Sequence, residues 1–459
     1  MFSDDTIAAI STPLGRSGIG IVRLSGRDSI RTADRIFVSA GNTPLKNIPT
    51  HRLIYGHIVD AKNEIVDEVM VSVMKSPRSY TREDIVEINC HGGPVPIRKI
   101  LELVLKAGAR LAEPGEFTRR AFLNGRIDLA QAEAVLDVIN SLTEESRKAA
   151  VEQLRGGLSS KIETIKEKMT ELTAFVEAYI DFPEEDIELP SMEDMKKKAS
   201  IIRNSLKELI EGARYGVILR DGIKTAIIGR PNVGKSSLLN ALLEQDRAIV
   251  TESPGTTRDV IEEYLNIQGI PVRIMDTAGI REVKDIAEKE GVKRSLRTME
   301  NADLVLLVLD GSRALHDTDR ELVARSMTKN TILVINKIDL PQKAEISEIR
   351  AEKGPGKQAV KVSATERTGL DELKEKVVET ALKGKTSYGT GMITNVRHVQ
   401  ALETALRSIE SFSGKVEKLS PEFLSVELRD ALDAIGEILG ATTPEDVLNK
   451  IFNDFCIGK

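Results

Sequence analysis

Short apolar runs alternate with polar turns in the N-terminal part of the chain. Residues 20–24, 69–73 and 85–88 are apolar runs of the length typical of strands. Residues 97–105, in contrast, carry apolar side chains at helical spacing, and this pattern ends at a glycine. We therefore expect residues 1–118 to form a small α/β domain.

Helical spacing dominates the region that follows. Residues 128–131 have the form of a capping box, in which two polar groups close the first turn of a helix reciprocally. A longer helical run extends from residue 141 to about 182, and another from 191 to about 215. Residues 119–216 are thus predicted to be the first part of a helical domain.

Helical patterns resume beyond a central region that is rich in buried-strand runs. Ser420 and Thr443 each precede a proline, an order typical of a helix start. Neither helical half is expected to bury its apolar faces alone. We therefore expect residues 119–216 and 385–459 to pack as one discontinuous helical domain, with residues 217–384 inserted as a separate domain.

The inserted domain opens with an apolar run, residues 226–228, which Gly-Arg-Pro-Asn-Val-Gly-Lys-Ser follows at residues 229–236. The glycines of this pattern allow backbone N–H groups to wrap around phosphates, and the start of the next helix adds its positive dipole end. Lys235 would reach the β- and γ-phosphates, and Ser236 would bind Mg²⁺. The pattern also occurs in ATPases, so the choice of base depends on other residues.

A second segment expected to face the phosphates is Asp-Thr-Ala-Gly at residues 276–279. It follows an apolar run and therefore lies at a strand end. Asp276 is suited to hold Mg²⁺ through water, and the Gly279 N–H is suited to contact a γ-phosphate. Residues 254–259 occupy the place of a first switch loop, where a threonine hydroxyl would complete the Mg²⁺ shell. Both segments therefore belong to the predicted nucleotide site.

Two later segments indicate guanine. Residues 336–339, Asn-Lys-Ile-Asp, follow the buried-strand run 332–335. The Asp339 carboxylate can accept hydrogen bonds from N1–H and the exocyclic amine of guanine. Adenine offers neither donor in that geometry, and a site built on such bonds rejects the analogue that lacks them by about 10⁴-fold or more. Ser363 and Ala364 follow another strand, and a backbone N–H there can contact guanine O6.

These four elements, in this order and each at a strand end, predict a P-loop GTPase domain. Its expected fold is a mixed sheet with helices on both faces. Residues 336–339 taken alone could also be a solvated turn, so the prediction depends on their combination with the phosphate loop.

Composition narrows the class of protein. The chain has 459 residues, of which 30% are charged, and it contains no apolar run of about 18 residues, so we expect no membrane span. Its N-terminus lacks the basic and apolar regions of a signal peptide, and its two cysteines do not suggest a disulfide framework. We expect a cytoplasmic protein. The net charge of −6 gives no overall positive field, so RNA would be held by a local patch or a partner.

Three positions leave the mechanism of hydrolysis open. Ile280 stands where Ras-type GTPases have the glutamine that orients water, so hydrolysis must use another group, a partner or a cation. Asn232 could offer its amide oxygen to a monovalent cation between phosphates, or it could only stabilise its loop. Glu288 could position the water, or it could be a solvated charge.

The C-terminal segment has two alternative interpretations. Cys456 lies close to two phenylalanines and to the final residue, Lys459. A thiol in such a position could be reactive in a cleft. Alternatively, Phe452, Phe455 and Cys456 could be the end of a helix in the core.

Several sequence blocks resemble the family of tRNA-modification GTPases called MnmE or TrmE, over essentially the whole chain. The blocks are residues 18–26, 91–94, 110–118, 120–125, 128–134, 181–185 and 455–459. Generic GTPases do not share the N-terminal blocks or the final Phe-Cys-Ile-Gly-Lys, so the resemblance is specific. Arg82 departs from the family pattern, since glycine is frequent at that position.

The resemblance implies a homodimer joined through N-terminal domains that bind a tetrahydrofolate derivative, 5-formyl- or 5,10-methylene-tetrahydrofolate. With an MnmG-like flavoprotein that carries FAD, in a heterotetramer or larger assembly, the family forms an aminomethyl-type modification such as 5-carboxymethylaminomethyl on the wobble uridine of certain tRNAs. GTP hydrolysis in the family is stimulated by K⁺, which lets the GTPase domains of two subunits meet.

The resemblance also implies roles for individual residues. The residues expected to contact GTP are Asn232, Val233, Gly234, Lys235, Ser236, Ser237, Thr251, Thr256, Thr257, Asp276, Thr277, Ala278, Gly279, Asn336, Lys337, Asp339, Ser363 and Ala364. Those expected around K⁺ are Asn232, Thr251, Ser253 and Thr256, and those expected on Mg²⁺ are Ser236 and Thr257. Glu288 would orient the attacking water. Lys235, in the phosphate loop, and Cys456, three residues before Lys459, are further candidate catalytic residues from their own sequence positions.

The folate site is expected from the same resemblance. Arg23, Glu87, Arg126 and Lys459 match positions that line it, and lysine is also found in the family at the position of Arg126. Two other functions remain open at the level of the sequence. One is a ribosome-assembly GTPase, and the other is a GTP-controlled scaffold that only recruits the flavoprotein.

Overall fold

The computed structural model describes most of the chain. The described residues are 5–181, 191–246, 263–277, 295–326, 328–344, 359–382 and 391–459. The chain divides into two compact units, one of Met1–Leu136 with Gly436–Lys459 and the other of Asp137–Ile435. In the ranges just given, no helix combines the length and apolar character that a membrane crossing requires. The predicted division into four sequence segments stays a prediction.

The elements are numbered here in chain order. The strands are β1 (Ile7–Ile10), β2 (Ser17–Ser25), β3 (Phe37–Ser39), β4 (Arg52–Val59), β5 (Ile65–Met74), β6 (Ile85–Gly92), β7 (Arg110–Leu111), β8 (Ile223–Ile228), β9 (Glu263–Ile267), β10 (Ile270–Met275), β11 (Leu304–Asp310), β12 (Thr331–Asn336) and β13 (Ala359–Lys361). The helices with described ends are α1 (Ser29–Asp34), α2 (Pro94–Lys106), α3 (Glu116–Leu123), α4 (Leu129–Asn140), α5 (Glu144–Leu154), α6 (Gly157–Asp181), α7 (Met192–Asp221), α8 (Lys235–Asp246), α9 (Asp317–Ser326), α10 (Leu370–Leu382), α11 (Val396–Lys415), α12 (Pro421–Leu439) and α13 (Glu445–Asn453).

The first unit is built on one sheet. Its described strands follow the order β3-β4-β5-β6-β2-β1-β7, and they pair antiparallel except that β7 runs parallel to β1. Side chains alternate along β2, because successive residues of a strand point to opposite faces. Val22 and Leu24 are buried with residues of α1 and α2, whereas Arg23 lies on the other face. The predicted N-terminal strands and helix are therefore confirmed.

Local capping explains where the helices begin. Asp128 N–H donates to Oε1 of Gln131 at 3.0 Å, and Gln131 N–H donates to Oδ1 of Asp128 at 2.8 Å, so the predicted capping box is formed. Ser191 and Asp194 cap α7 in the same reciprocal way. Pro421 is the first residue of α12 as predicted, but Pro444 is the extended N-cap of α13 rather than its first helical residue.

Two helix boundaries differ from the prediction, and each lies at a glycine with positive φ. The helical run expected from residue 141 is divided into α5 and α6, because Gly156 has φ 90°, a left-handed conformation that a continuous helix does not contain. The next helix, α7, continues past residue 215 to Asp221 and ends at Gly222, which has φ 73°. The chain passes from there directly into β8.

The second sheet has the predicted mixed topology. The described strands follow the order β13-β12-β11-β8-β10-β9, and all neighbours are parallel except β9 and β10. Both faces are buried: along β11, Leu306 and Val308 pack on the side of α8 and α10, while Leu307 and Leu309 pack on the side of α9. The prediction of a mixed sheet with helices on both faces is confirmed. The carboxyl ends of β8, β10, β11 and β12 consequently meet at one edge.

Candidate functional site

The phosphate loop joins β8 to the first turn of α8. Nζ of Lys235 donates hydrogen bonds to the carbonyl oxygens of Gly229 at 2.9 Å and Arg230 at 2.7 Å. Burial lowers the pKa of Lys235 to about 8. Gly234 has φ 97°, and a Cβ on it would lie 2.2 Å from Nδ2 of Asn336, so a side chain does not fit there. The loop therefore packs its backbone directly against Asn336, the last residue of β12.

Asn336 connects the phosphate loop with Ser363 and Ala364, which are predicted to lie beside the base. Its side chain is buried, and Nδ2 donates to the carbonyl oxygen of Val233 at 2.9 Å. Its Oδ1 accepts from the backbone N–H of Ala364 at 3.1 Å. Oγ of Ser363 donates to Oδ1 of Asp339 at 2.5 Å, which orients that carboxylate. The structure thus brings the predicted phosphate and base residues together at one edge of the sheet.

Lys337 adds a second connection at this edge. Its Nζ donates to the carbonyl oxygen of Asn232 at 2.8 Å and to Oδ2 of Asp310 at 2.7 Å. Asp310 ends the buried strand β11 and was missed by the sequence analysis. The one signal in the sequence is an acidic residue directly after an apolar strand, which also occurs at many solvated strand ends.

The remaining nucleotide residues are only partly described. Asp276 follows β10 with φ 56°, and its Oδ2 lies 3.5 Å from Oγ1 of Thr298. Thr277 is buried, and Ser236 and Ser237 lie in the first turn of α8. The predicted residues Thr251, Ser253, Thr256, Thr257, Ala278, Gly279, Ile280 and Glu288 lie outside the described ranges.

A second group of predicted residues lies on the face of the first sheet opposite to α1 and α2. Arg23 on β2 pairs in register with Glu87 on β6, and Nε of Arg23 donates to Oε1 of Glu87 at 2.8 Å. The Arg23 guanidinium lies 5.7 Å from the ring centre of Phe117 and 5.9 Å from that of Tyr80. Arg126 lies over the same Tyr80 ring at 4.6 Å. Tyr80 therefore contacts both arginines, which the sequence did not reveal.

The C-terminal tail reaches this group within the same unit. Nη1 of Arg23 donates to the carbonyl oxygen of Gly458 at 3.3 Å, and Oγ of Ser11 donates to it at 3.0 Å. Gly458 has φ 98°, and a Cβ there would lie 2.3 Å from the carbonyl oxygen of Ile10, so the close approach requires glycine. Burial, together with the charge of Arg23, lowers the pKa of Lys459. The predicted folate residues Arg23, Glu87 and Lys459 are thus brought together, with Arg126 joined through Tyr80.

The final cysteine differs from the phenylalanines beside it. Phe452 and Phe455 are buried with Leu129, whereas Cys456 is exposed. The interpretation of this tail as a core segment therefore holds for the two aromatic rings and not for the thiol. The backbone N–H of Lys459 donates to the carbonyl oxygen of Cys456 at 3.2 Å, so a tight turn holds the thiol near the end of the chain.

Comparison with known proteins agrees with this architecture. Two sequence models of protein families match the chain. The family described as GTP-binding protein TrmE N-terminus matches residues 6–126, and the family described as MnmE helical domain matches residues 129–456. A protein named tRNA modification GTPase MnmE from Alkaliphilus oremlandii is 49% identical over 100% of both chains. The chain belongs to the MnmE family.

Other members of the MnmE family match equally completely. The protein of that name from Thermoanaerobacter pseudethanolicus is 50% identical over 99% of both chains, and that from Clostridioides difficile is 48% identical over 100% of both. Among solved structures, the G domain of the T. maritima FeoB iron transporter is 29% identical over 35% of this chain and 98% of that domain, with a TM-score of 0.26.

Proposed function

We propose that this chain is a GTP hydrolase that takes part in tRNA modification. The observation that carries the proposal is the position of Asn336, which hydrogen-bonds to Val233 of the phosphate loop and to Ala364, which is predicted to lie beside guanine O6. Asp339, oriented by Ser363, then lies at a fixed distance from the loop that would hold the phosphates. This supports recognition of guanine and phosphate by one rigid frame, and the names of the full-length relatives support tRNA modification.

Mg²⁺ would be held mainly by the nucleotide. Within the described residues, no group of three or more His, Cys, Asp or Glu side chains could hold a metal by itself. Mg²⁺ bound with nucleotides commonly keeps several waters and takes few protein ligands, so the hydroxyl of Ser236 and a water on Asp276 fit this ion. Thr257 would complete the shell by its match to the family. Bound there, Mg²⁺ would neutralise charge on the phosphates.

K⁺ is proposed as the cation that stimulates hydrolysis. The backbone oxygen of Asn232 accepts a hydrogen bond from Lys337, so we assign the side-chain Oδ1 of Asn232 to K⁺. The assignments of Thr251, Ser253 and Thr256 to K⁺, and of Glu288 to the attacking water, rest on the resemblance. Lys235 would contact the phosphates, as its place at the start of α8 supports.

A tetrahydrofolate derivative is proposed for the second group of residues. Both contacts from Arg23 to Glu87 use Oε1, so the other carboxylate oxygen of Glu87 can accept hydrogen bonds from a pterin. Arg126 and Lys459 supply positive charge for the carboxylates of the folate tail. The bound folate would supply a one-carbon unit, and Cys456 is proposed to act close to it. The FAD of an MnmG-like partner would complete the modification of the wobble uridine.

Homodimerisation through the first unit fits an open part of its sheet. Tyr55 and Met70 are directly paired on β4 and β5, and 45% and 42% of their surfaces are exposed. Leu53 is 53% exposed and lies on the same face of β4. We propose that a second copy of the chain covers this face, in the cytoplasm, and that the MnmG-like flavoprotein joins in a heterotetramer or larger assembly.

The direct test is mass analysis of the wobble uridine in tRNA from a strain that lacks this protein. We expect the modification to be absent, to return with the wild-type chain and not to return with Lys235→Ala. Modification that persists without the protein would disprove its role in tRNA. GTP hydrolysis by the purified chain tests the other half of the proposal separately.

A further inference from the structure

Asp310 lies at the carboxyl end of β11 with its two carboxylate oxygens used differently. Oδ1 accepts hydrogen bonds from the backbone N–H of Ser312 at 3.0 Å and from Oγ of Ser312 at 2.6 Å. Oδ2 accepts from Nζ of Lys337 at 2.7 Å. The side chain of Asp310 is only 10% exposed, so this ion pair is partly shielded from water. Ser312 therefore fixes the carboxylate in the orientation that meets Lys337.

Lys337 is held in a conformation that is unfavourable for it. Its backbone has φ 66°, which costs a residue with a side chain about 1 kcal/mol or more. The same lysine donates to the carbonyl oxygen of Asn232, which also has positive φ, 64°. The ammonium group thus connects two backbone positions of positive φ, one directly after β12 and one in the phosphate loop. Asp310 supplies the negative charge that holds the ammonium between them.

Burial and hydrogen bonding act in opposite directions on Asp310. Burial raises its pKa, but hydrogen bonds from Lys337 and Ser312 outweigh that effect and leave the pKa lowered. The carboxylate is therefore charged at neutral pH. Arg313 also approaches Oδ2, at 3.9 Å, but its side chain is 79% exposed, so it adds little to the interaction.

We propose that Asp310 is a positioning residue for guanine nucleotides, which acts through Lys337 to join the phosphate loop to the base-binding segment, residues 336–339. Asp310 itself contributes no ligand to the nucleotide. Its contribution is to keep the two loops at the separation that one nucleotide spans, so its loss should speed release of GDP and GTP alike. The inference rests on the nucleotide site proposed above.

The test measures release of a fluorescent GDP analogue from the full chain by stopped flow. Asp310→Asn keeps the size and the Ser312 contacts but removes the charge, and we expect release to be about tenfold faster. Lys337→Met removes the ammonium and should speed release at least as much. If Asp310 acts through Lys337, the double variant should release no faster than Lys337→Met within about twofold.

The matched control is Asp246→Asn in the same domain. Asp246 forms an ion pair with Lys374 at 2.8 Å, and the two side chains are 19% and 10% exposed, similar to Asp310. Asp246 ends α8, about 16 Å along the helix axis from Lys235. The same chemical change there should leave release unchanged, while the melting temperature of ligand-free protein reports any general loss of stability.

The outcomes distinguish the role of Asp310 from the nucleotide site itself. Unchanged release in Lys337→Met would contradict the nucleotide site itself. Faster release in Lys337→Met with unchanged release in Asp310→Asn, or additive effects in the double variant, would overturn the role of Asp310 alone. If Asp310→Asn fails to fold, Ser312→Ala tests the same point: it should speed release about two- to threefold, and only when Lys337 is present.

Discussion

Asp137 and Arg220 form an ion pair within the second unit, with 2.8 Å between Oδ1 of Asp137 and Nε of Arg220. Arg220 lies at the end of α7, immediately before the chain enters β8. Oδ2 of Asp137 lies 3.4 Å from Oγ1 of Thr394, in the segment that leads into α11. The carboxylate of Asp137 thus contacts both the segment that leads from α7 into the second sheet and the segment that leads into α11.

Asp137→Ala should destabilise the second unit. The Asp137 side chain is 9% exposed and that of Arg220 is 25% exposed, so the variant leaves a partly buried guanidinium without this carboxylate. We expect the free energy of unfolding to fall by about 1–3 kcal/mol in urea denaturation followed by circular dichroism. Glu163→Ala is the control: its pair with Lys166 is exposed, and its loss should cost no more than about 0.5 kcal/mol. Equal effects of the two substitutions would show that the Asp137 contact has no special role.

Base specificity should depend on Asp339. Asp339→Asn replaces an acceptor by a group that can also donate, so it should weaken GTP binding and favour xanthosine triphosphate, which has an oxygen in place of the exocyclic amine. Titration of both nucleotides against the wild-type and variant chains measures the change. We expect the preference to shift by about 10²-fold or more. A variant that still prefers GTP as strongly as the wild type would refute the assignment of the base site.

Hydrolysis should respond to the identity of the monovalent cation. A cation between the phosphates supplies positive charge where the transition state gains negative charge, so rates should be about tenfold or more higher in K⁺ than in Na⁺. Asn232→Ala should remove most of this difference while the variant still binds GDP. Steady-state phosphate release in the two salts at equal ionic strength is the measurement, and equal wild-type rates would end the K⁺ hypothesis.

The sequence predicted the site residues that lie at the ends of buried strands. Asn336 and Asp339 follow a buried run, and parallel strands bring their carboxyl ends to one edge, so their approach to the phosphate loop was predictable. The partnership of Asp310 with Lys337 was not, because it depends on side-chain orientation across two strands. Tyr80 was also missed, because a single tyrosine in a loop gives no periodic signal. The break between α5 and α6 at Gly156 was also missed, because the spacing of apolar residues does not show that this glycine takes a positive φ.

Folate binding should depend on the ring of Tyr80 rather than on its hydroxyl. The guanidiniums of Arg23 and Arg126 both lie over this ring, and its removal would take one contact from each of them. Tyr80→Ala should weaken binding of 5-formyltetrahydrofolate about tenfold or more in calorimetry, a loss typical of cation–π and packing contacts together. Tyr80→Phe loses only the hydrogen bond with Oγ1 of Thr118 and should bind nearly as the wild type does. GTP affinity should be unchanged in both variants.

The two cysteines should differ in reactivity. Cys90 is buried, and burial raises the pKa of its thiol to about 11, so the thiol stays protonated and shielded at neutral pH. Cys456 is exposed. Brief treatment of the folded chain with iodoacetamide at pH 8 should therefore label Cys456 and leave Cys90 unlabelled, as peptide mass analysis would show. Labelling of both residues at equal rates would contradict the described burial of Cys90.

Cys456→Ser should abolish wobble-uridine modification and leave K⁺-stimulated GTP hydrolysis largely intact. The thiol lies three residues before Lys459, on the tail whose Gly458 carbonyl accepts from Arg23, so it is held next to the proposed folate site. The second sheet belongs to the other unit, so we expect it to fold without this thiol. Cys90→Ala is the control, since a buried thiol away from this tail should be dispensable for modification. The measurement is tRNA mass analysis in a deletion strain that carries each variant, beside GTPase assays of the purified chains. Normal modification by Cys456→Ser would show that the thiol takes no part in the reaction, and loss of both activities would show that it acts only on the fold.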